Sequence, residues 1–336
     1  MMHGTTWAVC LSGLASLTAS LTASVTASLT ASICAAQTYP SKPVRIIVQY
    51  GPGSTIDIMA RLIAPKLTEA LGQPVIVENR PGAGGAIGMD MAAKAPPDGH
   101  TLTIGATGPS VTNPLLYPQT PFDPLRDFAY ISLIATGPAV IAVHPSIPAK
   151  TVKDLVALAR ARPGQLNYGT AGVGTSPHLA AELFMLVTGT RMVHVPYKGN
   201  AEAITDLLGG QISIVFTGVP PVVPLMQAGK VKLLATTGNK RIASIPDLLT
   251  IAEAGYPGAA MGIWYGLVAP AATPKDILAR LHKEITRIQT LPDIRERFAQ
   301  LGTEATTSTP EQFTALVRDE LVKWGKVIKT AGVKVD

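Results

Sequence analysis

Residues 168–184, YGTAGVGTSPHLAAELF, constrain the fold more than any other stretch. They leave a β-rich run at 166–168 and pass Gly169, Gly172 and Gly174. A helix then starts at Thr175 or Ser176. Glycine allows tight turns and close backbone approach. Thr175 and Ser176 are N-cap residue types, and Pro177 suits the first helical turn. A helix start with free N–H groups and a positive dipole end favours an anion.

The same strand–turn–helix order recurs along the chain. A β-rich run at 44–50 meets Gly51-Pro52-Gly53-Ser54 and a helix over 55–71. Ile56, Met59, Ile63 and Leu67 give that helix an apolar face. Ser54 and Asp57 have capping-box spacing. A strand at 75–77 enters the glycine run 82–85, followed by a helix to about 94. A strand at 101–104 enters a Gly/Thr/Ser turn over 105–110, which contains Thr107. A second set follows 166–184: strand 192–195, the turn 196–200 with Tyr197 and Lys198, and helix 201–208. Then come strand 212–216, a turn from Thr217, helix 222–228 and strand 231–235. A short helix is expected at 246–254, a strand at 263–268, and helices at 274–288, 291–301 and 310–330. This alternation predicts an α/β fold with parallel, doubly wound sheets and ligands at the strand carboxyl ends. Strand-like links near 137–150 and 255–268 suit two lobes joined by a hinge.

Composition narrows the function. The chain is 47% hydrophobic and 15% charged with a net charge of +6, so it builds real cores. Its basic residues are dispersed, which argues against nucleic acid. Residues 1–41 hold no Asp, Glu, Lys or Arg and read as an export signal over 1–36, although no basic residue follows Met1. Cys34-Ala35-Ala36 offers small residues for cleavage before Gln37. Lipidation at Cys34 is the rival, disfavoured by the bulky Ile33. Cys10 and Cys34 are the only cysteines, so the mature chain has no disulfide and no thiolate metal site.

The glycine turn at 172–177 opens like a dinucleotide fingerprint, but Pro177 stands at the third glycine position. No GxxxxGK[ST], GxSxG, HExxH or CxxC occurs, so neither cofactor, catalytic residue nor metal is expected. Asp57 is read as a helix cap in preference to a general base. His178 serves either a ligand or a structural hydrogen bond. Arg80 is read as a salt-bridge partner and Lys198 as solvated. Hinge packing is preferred for Trp264 and Tyr265.

Further motifs are YPSKPVRIIV, LGQPVIVENRPGAGGAIG, DGHTL, VPYKGNAEAITDLLGGQI, IPDLLTIAEAGYPG and WYGLVAPAATP. Together with 168–184 they make residues 39–332 resemble the Bug-type solute-binding proteins of tripartite tricarboxylate transporters. The resemblance implies a periplasmic, two-lobed Venus-flytrap fold of type II with C-terminal helices. Lobe 1 would be 37–138 plus 262–336, and lobe 2 would be 139–261. It implies a non-enzymatic monomer that captures a small carboxylate for a membrane permease. The carboxylate would lie between turns at 50–57 and 170–178, partly through ordered water. The candidate ligand-binding set is Tyr50, Gly53, Ser54, Thr55, Asp57, Thr107, Thr170, Ala171, Gly172, Gly174, Thr175, Ser176, His178, Tyr197 and Thr217. The first turn departs from the family's pattern: Gln49 replaces a proline, Tyr50 a phenylalanine and Ser54 a glycine, with consequences expected for ligand choice. Rival readings are a sensor subunit for the same ligands and an exported enzyme using Asp57 or His178.

Overall fold

The computed structural model describes residues 39–117 and 119–331. The export segment expected over 1–36, with both cysteines, lies outside the described residues.

Strand β1 (Val44–Val48) is followed by helix α1 (Thr55–Leu71), strand β2 (Val75–Asn79), helix α2 (Ala86–Ala93) and strand β3 (Thr101–Ala106). The apolar face read from the sequence of α1 is buried: Met59, Ile63 and Leu67 are fully inaccessible. Gly72, at φ 72°, closes that helix in the left-handed region. Past β3 a wide helical turn, Gly108–Thr112, runs into one turn of α-helix, Asn113–Leu116.

Strand β4 (Phe128–Val143) carries the architecture. The sequence reads here as two strands, 130–135 and 139–143, and one continuous strand is found. Its first part, to Pro138, pairs with β9 (Gly262–Pro270). From Ala139 onward it pairs with β7 (Ile214–Gly218). Pro138 has no N–H to give a ladder and sits where the strand changes partners. The elements between are α3 (Val152–Ala161), β5 (Asn167–Thr170), α4 (Ser176–Thr188), β6 (Val193–Pro196) and α5 (Asn200–Leu208). After β7 come α6 (Val223–Gln227) and β8 (Lys232–Thr236). Helices α7 (Lys275–Thr290) and α8 (Pro292–Gln300), the short strand β10 (Glu304–Ala305) and helix α9 (Pro310–Ala331) follow β9.

The strands run β2-β1-β3-β9-β4-β7-β5-β6, with β10 and β8 also on β4. Each half has three parallel strands, β2-β1-β3 and β6-β5-β7. The sheets are therefore mixed, not wholly parallel as expected: β4 and β9 run antiparallel to their neighbours. The short helix expected at 246–254 is absent. Its backbone is engaged with β8 instead: Thr236 N–H donates to Leu249 O at 3.0 Å, and Ile251 N–H to Thr236 O at 2.7 Å. Those bonds hold 249–251 against β8, and the flanking residues form turns with a single i→i−4 bond, Ala254 N–H to Thr250 O at 3.0 Å, in place of a helix.

Helix α9 closes the first half. Phe313, Val317 and Trp324 are buried, and Phe313 meets Tyr130 of β4 edge-on at 4.9 Å. A Cβ on Gly266 would fall 2.2 Å from the Phe313 ring, so β9 needs glycine there. The second half has its own core of Val140, Ala203, Leu207, Val215, Val219 and Val222.

Candidate functional site

The turn after β1 is tied by local chemistry. Ser54 caps α1, its Oγ accepting from Asp57 N at 3.3 Å. The buried Asp57 carboxylate accepts from Gly53 N at 2.9 Å, Asn79 Nδ2 at 2.9 Å and Arg61 Nε at 3.0 Å. Asn79 Nδ2 also donates to Tyr50 O at 2.9 Å. Asp57 is thus the knot of the turn, in keeping with its reading as a cap. Tyr50 OH donates to Gly84 O at 3.1 Å, and burial pushes its phenol well above its ordinary value. Gln49 is fully buried behind the turn, donating to Thr103 Oγ1 at 2.6 Å and Ile104 O at 2.8 Å. It lines neither cavity described below. Arg80 donates to Glu78 Oε1 at 2.7 Å, as its salt-bridge reading expects.

The turn between β5 and α4 is tied differently. Gly172 and Gly174 have φ of 122° and 78°, which disfavours any side chain. Thr175 caps α4: its Oγ1 accepts from His178 N at 3.4 Å and donates to Gly172 O at 2.8 Å. Gly172 N donates to Thr170 Oγ1 at 3.2 Å, and that hydroxyl meets His194 Nε2 at 2.8 Å. Gly174 N donates to His178 Nδ1 at 3.3 Å. His178 therefore carries its proton on Nε2, 3.6 Å from Glu182 Oε1. The imidazoles of His178 and His194 stack at 4.3 Å, and His194 stacks on Tyr168 at 4.9 Å. Burial holds His178 down at about 3 and His194 at about 4, both far below a free histidine. Tyr168 OH donates to Glu182 Oε1 at 2.6 Å, and burial raises the Glu182 carboxyl.

The two turns face each other across a cavity of about 30 Å³, room for a water or one small polar head group. Ser54, Thr55 and Ile56 come from the start of α1. Thr175, Ser176 and Pro177 come from the start of α4, and Asn200 from the start of α5. Tyr50, Ala106, Pro109, Ala171, Gly218, Ile263 and Tyr265 complete the lining. Helix starts carry N–H groups without intrahelical acceptors, and three of them converge here. Among the described residues no Asp, Glu, Lys, Arg or His lines the cavity. Thr55 Oγ1 is buried with no hydrogen bond of normal geometry. The Tyr265 phenol stands beside it, pushed upward by its burial. A Cβ on Gly218 would lie 2.3 Å from Thr55 Oγ1, so only glycine lets β7 and α1 approach so closely.

A second cavity of about 220 Å³ shares Tyr50 and Ala171 with the first. Gly82–Gly85 form one wall, and Ala171, Gly172 and Val173 form the other. Tyr117, Pro196, Tyr197 and Lys198 complete it.

Of the candidate residues, Tyr50, Ser54, Thr55, Ala171, Thr175 and Ser176 line the first cavity; Tyr50, Ala171, Gly172 and Tyr197 line the second. Gly53, Asp57, Thr170, Gly174 and His178 stand behind the walls and shape them through the bonds above. Thr107 Oγ1 accepts from Trp264 N at 3.3 Å, and Thr217 Oγ1 accepts from Asn200 Nδ2 at 2.5 Å. Asn200, Gly218, Tyr117 and Tyr265 were not among the candidates. Asn200 carried a usable signal, since it opens a helix after a glycine as Ser54 and Thr175 do. The sequence reads Tyr265 as hinge packing, yet it lines the cavity, because β9 brings it beside Ala106 of β3 from far along the chain. Trp264, its neighbour, packs edge-on against Phe313 at 5.2 Å, as hinge packing expects.

Two half-sheets joined through one long strand, with helix starts from both halves at a common cavity, define a two-lobed solute-binding protein. Residues 59–333 match the model of the tripartite tricarboxylate transporter family receptor, and the chain belongs to that family. Solved structures agree. A Rhodopseudomonas palustris protein, Rpa4515 with adipate, is 36% identical with a TM-score of 0.86, covering 88% of this chain and 99% of its own. The periplasmic binding protein BugD is 34% identical with a TM-score of 0.85, covering 88% and 99%. MatC from Rhodopseudomonas palustris, with bound malate, is 30% identical with a TM-score of 0.83, covering 86% and 100%. Solute binding is the role of this chain.

Proposed function

We propose that the first cavity holds the carboxylate of a small organic acid and that the chain carries this acid without altering it. The carrying observation is the convergence of three helix starts on a cavity lined by hydroxyls and no charged side chain. Each start contributes about half a positive charge. With no cation in the lining, N–H groups and the hydroxyls of Ser54, Thr55, Thr175 and Ser176 replace the carboxylate's water shell. The adipate and malate of the two relatives support this ligand class. The remaining candidate residues act by shaping the walls.

The lobes are 37–138 with 262–336, and 139–261. The change of partner on β4 between Pro138 and Ala139 supports that boundary. Ligand reaches the cavity when the lobes part, and binding favours their closure. In this reading the protein is exported to the periplasm by its N-terminal segment, acts as a monomer and delivers its ligand to membrane permease subunits. Asp57 and His178 serve as structural knots and not as bases.

Calorimetry over a panel of mono- and dicarboxylates tests the reading. At least one acid binds without turnover, and Ser176→Ala weakens it about tenfold, the loss expected for one hydrogen bond to a charged group. Unchanged affinity in Ser176→Ala and Ser54→Ala together would sink the cavity assignment.

A further inference from the structure

The first cavity has room for a head group only, so the rest of any ligand must lie elsewhere. The second cavity adjoins it through Tyr50 and Ala171 and is several times larger. Its two walls are mostly backbone. They come within touching distance at one place, where a Cβ on Gly84 would lie 2.2 Å from Val173 O. Two of its tyrosines have no hydroxyl to spare, since Tyr50 donates to Gly84 O and Tyr197 donates to Asp206 Oδ2 at 2.6 Å. They offer ring surface, and with Pro196, Ala171 and Val173 they make a lining suited to a methylene chain.

Two polar groups remain. Lys198 is exposed, lines this cavity and, among the described residues, is the one cation that lines either. Its backbone N–H donates to Glu202 Oε2 at 3.1 Å, and among the described residues no carboxylate pairs with its ammonium. The Tyr117 hydroxyl is likewise unengaged among the described residues. A neutral first cavity beside a larger one edged by a lysine is asymmetric in charge. It suits a ligand anionic at both ends and apolar between.

We propose that the second cavity binds the distal carboxylate of an extended α,ω-dicarboxylate, with Lys198 as its charge partner, Tyr117 as a hydrogen-bond donor, and the chain lying against Tyr50 and Tyr197. This rests on the head-group reading of the first cavity. It makes Lys198 and Tyr117 specificity-determining residues and dicarboxylates, not monocarboxylates, the preferred ligands.

The test is calorimetry with adipate and hexanoate, which share a six-carbon chain and differ by one carboxylate. Wild type binds adipate at least tenfold more tightly than hexanoate. Lys198→Gln removes that preference by weakening adipate alone, and Tyr117→Phe weakens adipate severalfold. Ser176→Ala weakens both acids about equally. An adipate-to-hexanoate ratio near one in wild type, or one unchanged by Lys198→Gln, overturns the distal site. If Ser176→Ala still weakens both acids in that case, the head-group reading survives. Binding of neither acid by wild type overturns the distal site, while the head-group reading falls only if no acid of the wider panel binds.

Discussion

The two walls of the cleft perform the same task by opposite means. Both present a capped helix start to one cavity. The first wall is knotted by an ion: Asp57 gathers Gly53, Asn79 and Arg61, and Ser54 caps the helix. The second is knotted by neutral groups: His178 and His194, stacked and buried, hold Gly174 and Thr170. A charged knot on a partly solvated turn gains from ion pairing. A buried imidazole pair gives rigidity only while it stays uncharged. The cleft thus has one wall supported by an ion pair and one that acid attacks through its own neutral support.

The largest expected effect follows from that difference. A free histidine titrates near 6.5, whereas His178 and His194 in the fold lie near 3 and 4. Between these values the unfolded chain binds more protons than the native one. The stabilisation is complete above about 6.5 and is lost as pH falls toward 4 and below, by up to about 1.4 kcal/mol per pH unit for each histidine. Glu182 works the other way: its carboxyl is raised by burial, so above its unfolded value the native state retains a proton that the unfolded chain has lost. Thermal melts from pH 7 to 4 are expected to show a steep fall in Tm, shallower in His178→Gln. A flat profile would remove the contrast between the walls.

Breaking the first knot is the next largest. Asp57→Ala leaves the Gly53 N–H, the Asn79 amide and Arg61 without their shared acceptor. A loss of about 2–3 kcal/mol is expected in urea unfolding, consistent with a buried charge-assisted network. A loss below about 0.5 kcal/mol would mean that the turn is held by its glycines and Ser54 alone.

The smallest effect compares the caps directly. Ser54→Ala and Thr175→Ala each remove one cap and are expected to cost about 1 kcal/mol. Thr175→Ala should cost more, because its hydroxyl also donates to Gly172 O. Equal losses would show that this second bond adds nothing to the second wall.

Much of this was legible before any coordinates. Helix α1 begins and ends where its apolar spacing, Ser54 and Gly72 put it, since those signals act within one helical turn. Both walls were readable from glycines followed by a cap. The acid-sensitive knot was only half readable. His178 lies inside the motif, but His194 reaches it from β6, a separate strand that nothing local ties to the motif. The helix expected at 246–254 failed because its backbone had a better partner in β8, which local propensity does not register.

The sequence alone determined what is decided by contacts a few residues apart. These are the strand–turn–helix units, the capped helix starts, the apolar faces and the family that the motifs mark. The tertiary structure decided what depends on distant segments meeting. Strand β4 serves both half-sheets, β9 returns antiparallel to bring Tyr265 beside Thr55, and Gly218 admits the first wall against the second. A capping bond is specified by residues three apart. A cavity is specified by which strands become neighbours, and that choice belongs to the packing of the whole chain.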